Sequence, residues 1–293
     1  MKLRILPFLF LALTMTACGS DSSDGTGSSE SANTNSNFAN ANPATHRLEF
    51  PKLKDATTNI VIVHNSGGEV NYSVEYDTNK KLSRWSCYEI YASNRETHTQ
   101  RYRSDSNQYP QDPQLDSKYR WSTDPFWRSG NSHGHLCPSD DRRNSYNANY
   151  QTFYLTNMLP QNQAFNGGTW EYMEEWVRNQ ITTVSKDTLY VVKGGTIDNA
   201  SQYTTMDRTG GKLTIPKYYY MAVLMRNSSG YKAMGFWIEH KANSTKNLTP
   251  YVVNIDKLES LTGIDFFCNL PDDIENHVES LPVENVKKAW GFK

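Results

Sequence analysis

Three things are scarce in this sequence. Cysteine is the first: there are four in 293 residues, and setting aside Cys18, near the N-terminus, leaves Cys87, Cys137 and Cys268. Three widely spaced cysteines are not a disulfide scaffold; one pair and one free thiol is the most they can form. Long apolar runs are the second. Beyond residue 15 none is long enough to cross a membrane as a helix. Net charge is the third: 30 Lys and Arg against 31 Asp and Glu leave −1. The chain as a whole therefore has no attraction for a polyanion, which excludes a general basic binder. Internal repeats are also lacking, so a solenoid or propeller is excluded.

What is present begins with an export signal. Lys2 and Arg4 precede an apolar run over residues 5–15, followed by Thr16-Ala17-Cys18-Gly19. A short apolar core with a basic flank and small residues at its end reads as a secretory signal rather than a span. Its ending resembles a bacterial lipobox, which would make Cys18 the lipidated first residue of a mature, membrane-anchored protein of the cell envelope, exported across the inner membrane and sorted to the outer one. The alternative is an ordinary signal peptide cut nearby, with Cys18 incidental. Residues 19–46 are mostly Ser, Asn, Asp, Gly and Ala, a composition expected of a disordered tether. Residues 47–293 are enough for one domain with a substantial core.

Alternating apolar and β-branched residues predict strands over 59–63, 72–76, 85–91, 152–158, 188–192, 217–225 and 232–239. Helical spacing predicts helices over 169–182, 256–261 and 282–289. In the first of these, Trp170, Met173, Val177 and Ile181 share one side and Thr169 stands as N-cap. Glu174 and Arg178, four apart, are placed to meet on its surface. The fold class expected is α+β, with a central, mainly antiparallel sheet flanked by helices. Charge is uneven: residues 80–143 hold eleven Lys and Arg against eight Asp and Glu, whereas residues 251–293 hold four against eight. A locally positive groove suits phosphate.

Residues 132–178 carry the chemistry. They contain Ser132-His133-Gly134-His135, then Thr156-Asn157-Met158-Leu159-Pro160-Gln161, then Asn166-Gly167-Gly168-Thr169-Trp170, running into Glu171-Tyr172-Met173-Glu174. Individually each has a plain reading: a hydrogen-bonded structural histidine, a turn before a helix, a surface ion pair worth little. Jointly, in this order, they resemble the DNA/RNA non-specific endonucleases, whose pattern runs D-R-G-H, then S-N-x-x-P-Q, then N-x-G-x-W with a Glu downstream. Residues 213–225 and 258–267 are similar to later segments of that family.

The resemblance implies a ββα-metal motif, in which two strands and a helix frame a metal, and hydrolysis of DNA and RNA to 5′-phosphate products. It implies His135 as general base, Asn166 as direct ligand of Mg²⁺ (Mn²⁺ as an alternative), Glu174 as holder of metal-bound water and Asn157 as support for the site and its transition state. Arg178 is implied as a phosphate contact or a brace for Glu174, and Arg101 or Arg103 as the transition-state arginine. The chain departs from the pattern at Ser132-His133, where the family has Asp-Arg. An imidazole there is a weaker grip on phosphate than a guanidinium, and Arg142 and Arg143 are the candidates to compensate. Two other readings remain: a zinc site from the alternating His133, His135 and Cys137, and a catalytically weak, lipid-anchored nucleic-acid binder.

Overall fold

Period-two patterning builds a sheet that is buried on both faces. The computed structural model describes residues 33–293, and the lipobox at Cys18 lies outside them. Its strands are β1 (Asn59–Ser66), β2 (Glu69–Asp77), β3 (Leu82–Ile90), β4 (Ser132–His135), β5 (Met158–Gln161), β6 (Thr188–Gly195), β7 (Tyr203–Arg208), β8 (Gly211–Pro216), β9 (Tyr218–Asn227), β10 (Gly230–Glu239) and β11 (Val252–Val253). The helices are α1 (Tyr146–Gln151), the single turn α2 (Gln163–Phe165), α3 (Glu171–Arg178), α4 (Ile255–Thr262), α5 (Asp272–Glu279) and α6 (Val283–Trp290). Seven strands form one sheet in the order β1-β2-β3-β6-β9-β10-β11, and all six neighbouring pairs are antiparallel. This is the α+β architecture expected.

Alternation along the central strands divides the core in two. On β9, Tyr219, Met221, Val223 and Met225 pack with Trp170, Met173 and Val177 around α3. The intervening Tyr220, Ala222 and Leu224 pack with Ile255, Leu258, Phe266 and Val278 around α4 and α5. On β6, Leu189 and Val191 belong to the first layer and Tyr190 and Val192 to the second. By the same parity Lys193 emerges on the α3 side.

The strand expected over 152–158 is not there. Thr152, Phe153, Tyr154 and Asn157 each donate a backbone hydrogen bond three residues back, at 2.8–3.1 Å, so α1 runs on as turns into a 3-10 turn at Leu155–Asn157. Phe153, Tyr154 and Leu155 are all buried, and full burial on all sides mimicked an alternating pattern. The strand that matters, β5, starts at Met158 and pairs with β4. Pro160 sits inside it rather than ending it, which a two-stranded ribbon tolerates because its outer edge needs no donor.

The expected helix over 169–182 is shortened to α3, and Thr169 does not cap it. Its Oγ1 donates to the Thr245 carbonyl (2.9 Å) and its N–H to the Asn243 carbonyl (2.9 Å). Residues Asn166–Trp170 form a widened, kinked turn in which Gly168 has ψ −125°. A Cβ on Gly168 would stand 2.0 Å from the Asn243 carbonyl oxygen, so a close backbone approach requires glycine there. Composition did not reveal α1, α5 or the β7–β8 hairpin.

Part of the expected tether is docked. Asn37 is 4% exposed, its Nδ2 donates to the Pro51 carbonyl (2.9 Å) and its N–H to Asn269 Oδ1 (2.9 Å). Side-chain amides substitute here for apolar burial, which hydropathy does not register. Cys87, Cys137 and Cys268 are buried free thiols.

Candidate active site

The site is built on the β4–β5 ribbon and the chain that follows it to α3. Ser132 pairs with Gln161, His133 with Pro160, Gly134 with Leu159 and His135 with Met158. Gly134 lies over the Gln161 side chain, where a Cβ would stand 2.2 Å from Cδ. Beside this ribbon opens a cavity of about 810 Å³ whose lining includes Arg101, Tyr109, His133, His135, Asn166, Glu171, Glu174 and Arg178.

His135 is half-buried, edge-on to Phe153 at 4.9 Å. Its Nε2 is buried with no hydrogen-bond partner. Burial holds its pKa well below the usual histidine value, assisted by the positive charges of Arg101 and Lys193 and by His133. A neutral imidazole with a free nitrogen is a base awaiting a proton donor. Asn166 stands across the cavity at the start of the kinked turn; its Nδ2 donates to Ser132 Oγ (3.3 Å), which leaves Oδ1 as the atom able to meet a cation.

Glu174 and Arg178 line the same cavity but do not pair with each other as expected. Glu174 is ion-paired to Lys193 Nζ and Arg178 Nε to Asp141 Oδ1. Lys193 is fully buried, lies 5.1 Å from the Trp170 ring centre, and reaches the His135 carbonyl at 3.4 Å. Burial raises the Glu174 carboxyl pKa, and Lys193 opposes the shift. Lys193 went unnoticed in the sequence, although strand parity alone places it on this face.

Of the two candidate arginines, Arg101 enters the cavity. It hydrogen-bonds Ser139 Oγ and stacks 4.9 Å from the Phe153 ring centre. Asn149 holds this arm in place, accepting from Tyr102 N (2.7 Å) and donating to the Ser139 carbonyl (2.7 Å). Arg103 is exposed and outside the cavity lining.

Three other assignments are corrected. Asn157 is fully buried and does not line the cavity; its Oδ1 accepts from Cys137 N (2.8 Å) and its Nδ2 donates to the Cys137 (2.9 Å) and Thr152 (2.8 Å) carbonyls. Both of its amide hydrogens and its Oδ1 are engaged in pinning the loop beyond His135, so it supports the site without touching it. Arg142 is 2% exposed and donates to the Asn71, Asp141 and Glu89 carbonyls; it braces structure and is not free for phosphate. Arg143 donates to the Thr99 carbonyl (3.1 Å) and is likewise not in the lining.

His133 lines the cavity, where the family has arginine. Its Nε2 meets Asp124 Oδ2 at 2.8 Å and its ring stacks on Tyr109 at 3.6 Å, 5° from parallel. Burial acts to raise the Asp124 pKa, but the hydrogen bond and charge of His133 prevail and lower it. Asp124 could not be found from the motif, since the pair is made through space by a loop nine residues upstream. The zinc reading fails on geometry: among the described residues the one group of three or more His, Cys, Asp or Glu close enough to share an ion is Asp256, Glu259 and Glu279.

The cavity's donors toward a metal are therefore oxygens, an amide at Asn166 with carboxylates at Glu174 and Glu171 nearby. That set fits a hard cation that keeps most of its water better than a closed protein cage.

Comparison with known proteins agrees with this geometry. Residues 56–273 match the family model for the DNA/RNA non-specific endonuclease. A nuclease of Nostoc sp. is 29% identical over 222 residues, spanning 71% of this chain and 75% of its own. Nuclease C1 of Cunninghamella echinulata is 29% identical over 208 residues, 68% and 81% of the two chains, and the mitochondrial nuclease EXOG of Homo sapiens is 28% identical over 219 residues, 70% and 58%. In fold, a chain from the crystal structure of the EndoG/EndoGI complex superposes with a TM-score of 0.57 at 20% identity, covering 71% of this chain and 86% of that one. The family match spans most of the chain and contains the whole cavity, so this chain belongs to the DNA/RNA non-specific endonuclease family and is a nuclease.

Proposed function

We propose that the protein is a divalent-metal-dependent, sugar-non-specific endonuclease that cuts DNA and RNA to 5′-phosphate products, with Mg²⁺ as the working cation. The observation that carries this reading is His135, its pKa lowered and its Nε2 unpartnered, in the lining of the same cavity as Asn166 and Arg101. His135 takes the proton of the attacking water, the step its free nitrogen and low pKa suit. Asn166 Oδ1 would hold the cation, with the Glu174 carboxylate, fixed by Lys193, beside it in the same cavity. The cation, when bound, supplies Lewis-acid stabilisation of the charge that grows on the phosphate and leaving oxygen. Arg101, at the cavity wall, and Arg178, fixed by Asp141, offer guanidinium N–H donors to phosphate oxygens. His133 takes the position of the family's arginine, held toward the cavity by Asp124 and Tyr109.

Plasmid DNA and a long RNA, each incubated with the purified protein at neutral pH, test the reading. The expected result is nicking, linearisation and fragmentation of the plasmid and parallel loss of the RNA, both stopped by EDTA and restored by Mg²⁺. Cleavage that survives EDTA, or products released only from ends, contradicts it. A tight-binding, non-cleaving protein would instead favour the weak-binder alternative.

A further inference from the structure

The sheet face opposite the active site carries a second concentration of chemistry. Asp256 and Glu259 lie three residues apart on α4, so their side chains leave the same side of that helix. Glu279 is the last residue of α5, which packs beside α4 in the second core layer. One carboxylate oxygen from each of the three lies within 4.8 Å of the other two.

Two facts separate this group from ordinary surface acidity. Glu279 is 5% exposed, and its Oε1 is buried without any hydrogen-bond partner. An orphaned buried carboxylate oxygen is costly, and here its carboxyl group lies beside two other carboxylates at the negative end of its own helix, where a carboxylate is disfavoured. Among the described residues no Lys, Arg or His makes an ion pair with Asp256, Glu259 or Glu279. Burial first, then Glu259, Glu275, Asp265 and Asp256, push the Glu279 carboxyl up to about 11. At neutral pH the group must either hold a proton or meet a cation.

We propose that Asp256, Glu259 and Glu279 bind a calcium ion, with the orphaned Oε1 of Glu279 as its buried ligand. The donors are all carboxylate oxygens, which excludes a soft metal. Calcium accepts six to eight oxygens at about 2.3–2.6 Å in flexible geometry, whereas Mg²⁺ demands near-ideal octahedral geometry at about 2.0–2.1 Å and dehydrates reluctantly. Three carboxylates from two helices, one of them buried, suit the ion with the looser geometry. With Asp256 exposed and water completing the sphere, affinity belongs to the weak class, with Kd about 10⁻⁴–10⁻³ M. The ion ties α4 to α5. Through Asn35, whose Nδ2 donates to Asp265 Oδ2 (3.0 Å) and Glu275 Oε1 (2.9 Å), it also steadies the docked N-terminal segment.

The test uses the full chain carrying Asn166→Ala, so that binding at the catalytic cavity does not contribute. After treatment with EDTA and its removal, melting is followed against CaCl₂ and, separately, MgCl₂. At 5 mM Ca²⁺ the melting temperature should rise by about 3–6 °C, and Mg²⁺ should give less than half of this. Adding Glu279→Gln or Glu259→Gln should abolish the rise while leaving the calcium-free melting temperature equal or higher, because an amide relieves the repulsion. If Glu279→Gln does not fold, Asp256→Asn, at an exposed position, decides in its place by losing most of the rise. No calcium-dependent rise in the Asn166→Ala protein, an equal rise with Mg²⁺, or a rise that survives Glu259→Gln overturns the proposal; the first and the last would leave the carboxyls simply holding a proton.

Discussion

At the residue scale the active cavity is a set of side chains each fixed by one partner, and the partners are what the motif does not name. Lys193 is the clearest case. Lys193→Met leaves Glu174 partly buried without its ion-pair partner, and breaking such a pair costs about 3–5 kcal/mol. Urea unfolding should show that loss, together with cleavage reduced beyond what added Mg²⁺ restores. Unchanged stability would contradict the pairing. The low pKa of His135 makes a pH prediction. Its active form is neutral, so kcat/KM should stay flat on the acid side until well below pH 6.5, the ordinary histidine value. The stability contribution has the same sign: a folded pKa depressed below the unfolded one is fully stabilising above about 6.5 and is lost as pH falls toward the folded value. A pH–rate profile with its acid limb at 6.5 or higher would exclude His135 as the base. The motif located His135, Asn166, Glu174 and Arg178 because these residues carry their own signature in order and spacing. It could not locate Lys193, Asp124 or Asn149, whose roles come from strand parity or from loops distant in sequence.

The strands of the main sheet were legible as short runs of β-branched and aromatic residues, although most are buried on both faces. Residues 152–158 carry a similar pattern, but they are buried throughout, polar members included, and fold as turns. Likewise Thr169 resembles a cap, yet both its polar groups are taken by the 243–245 segment. That contact explains the glycine in the kinked turn. Gly168→Ala should place a methyl against the Asn243 carbonyl and cost about 1–3 kcal/mol, and because Asn166 rides on the same turn, cleavage should fall with stability. Gly167→Ala meets only Gln163 Nε2 at 3.8 Å and should be milder on both counts. Equal effects in thermal melting and plasmid cleavage would refute the account of the kink.

At the scale of the whole molecule, a central sheet separates a nuclease cavity on one face from an acidic, α4–α5 layer on the other. A net charge of −1 hides this division. The polar composition of residues 33–46 concealed it further, since their asparagines bond into the domain rather than dangle. The lipobox reading is a proposal of the same scale: Cys18→Ala should shift the protein from detergent-extracted membrane to the soluble fraction, and unchanged fractionation would remove it.

The central claim is that His135 is the base and acts apart from cation and substrate binding. Single-turnover cleavage of a defined duplex, alongside duplex affinity measured in Ca²⁺, should compare the wild type with His135→Ala, His133→Ala and Asn166→Ala. The account predicts that His135→Ala loses about 10²–10⁴-fold in rate with affinity unchanged and no rescue by Mg²⁺. Asn166→Ala should recover part of its loss as Mg²⁺ is raised, and His133→Ala should mainly weaken affinity. Near-normal cleavage by His135→Ala with an inactive His133→Ala would contradict it.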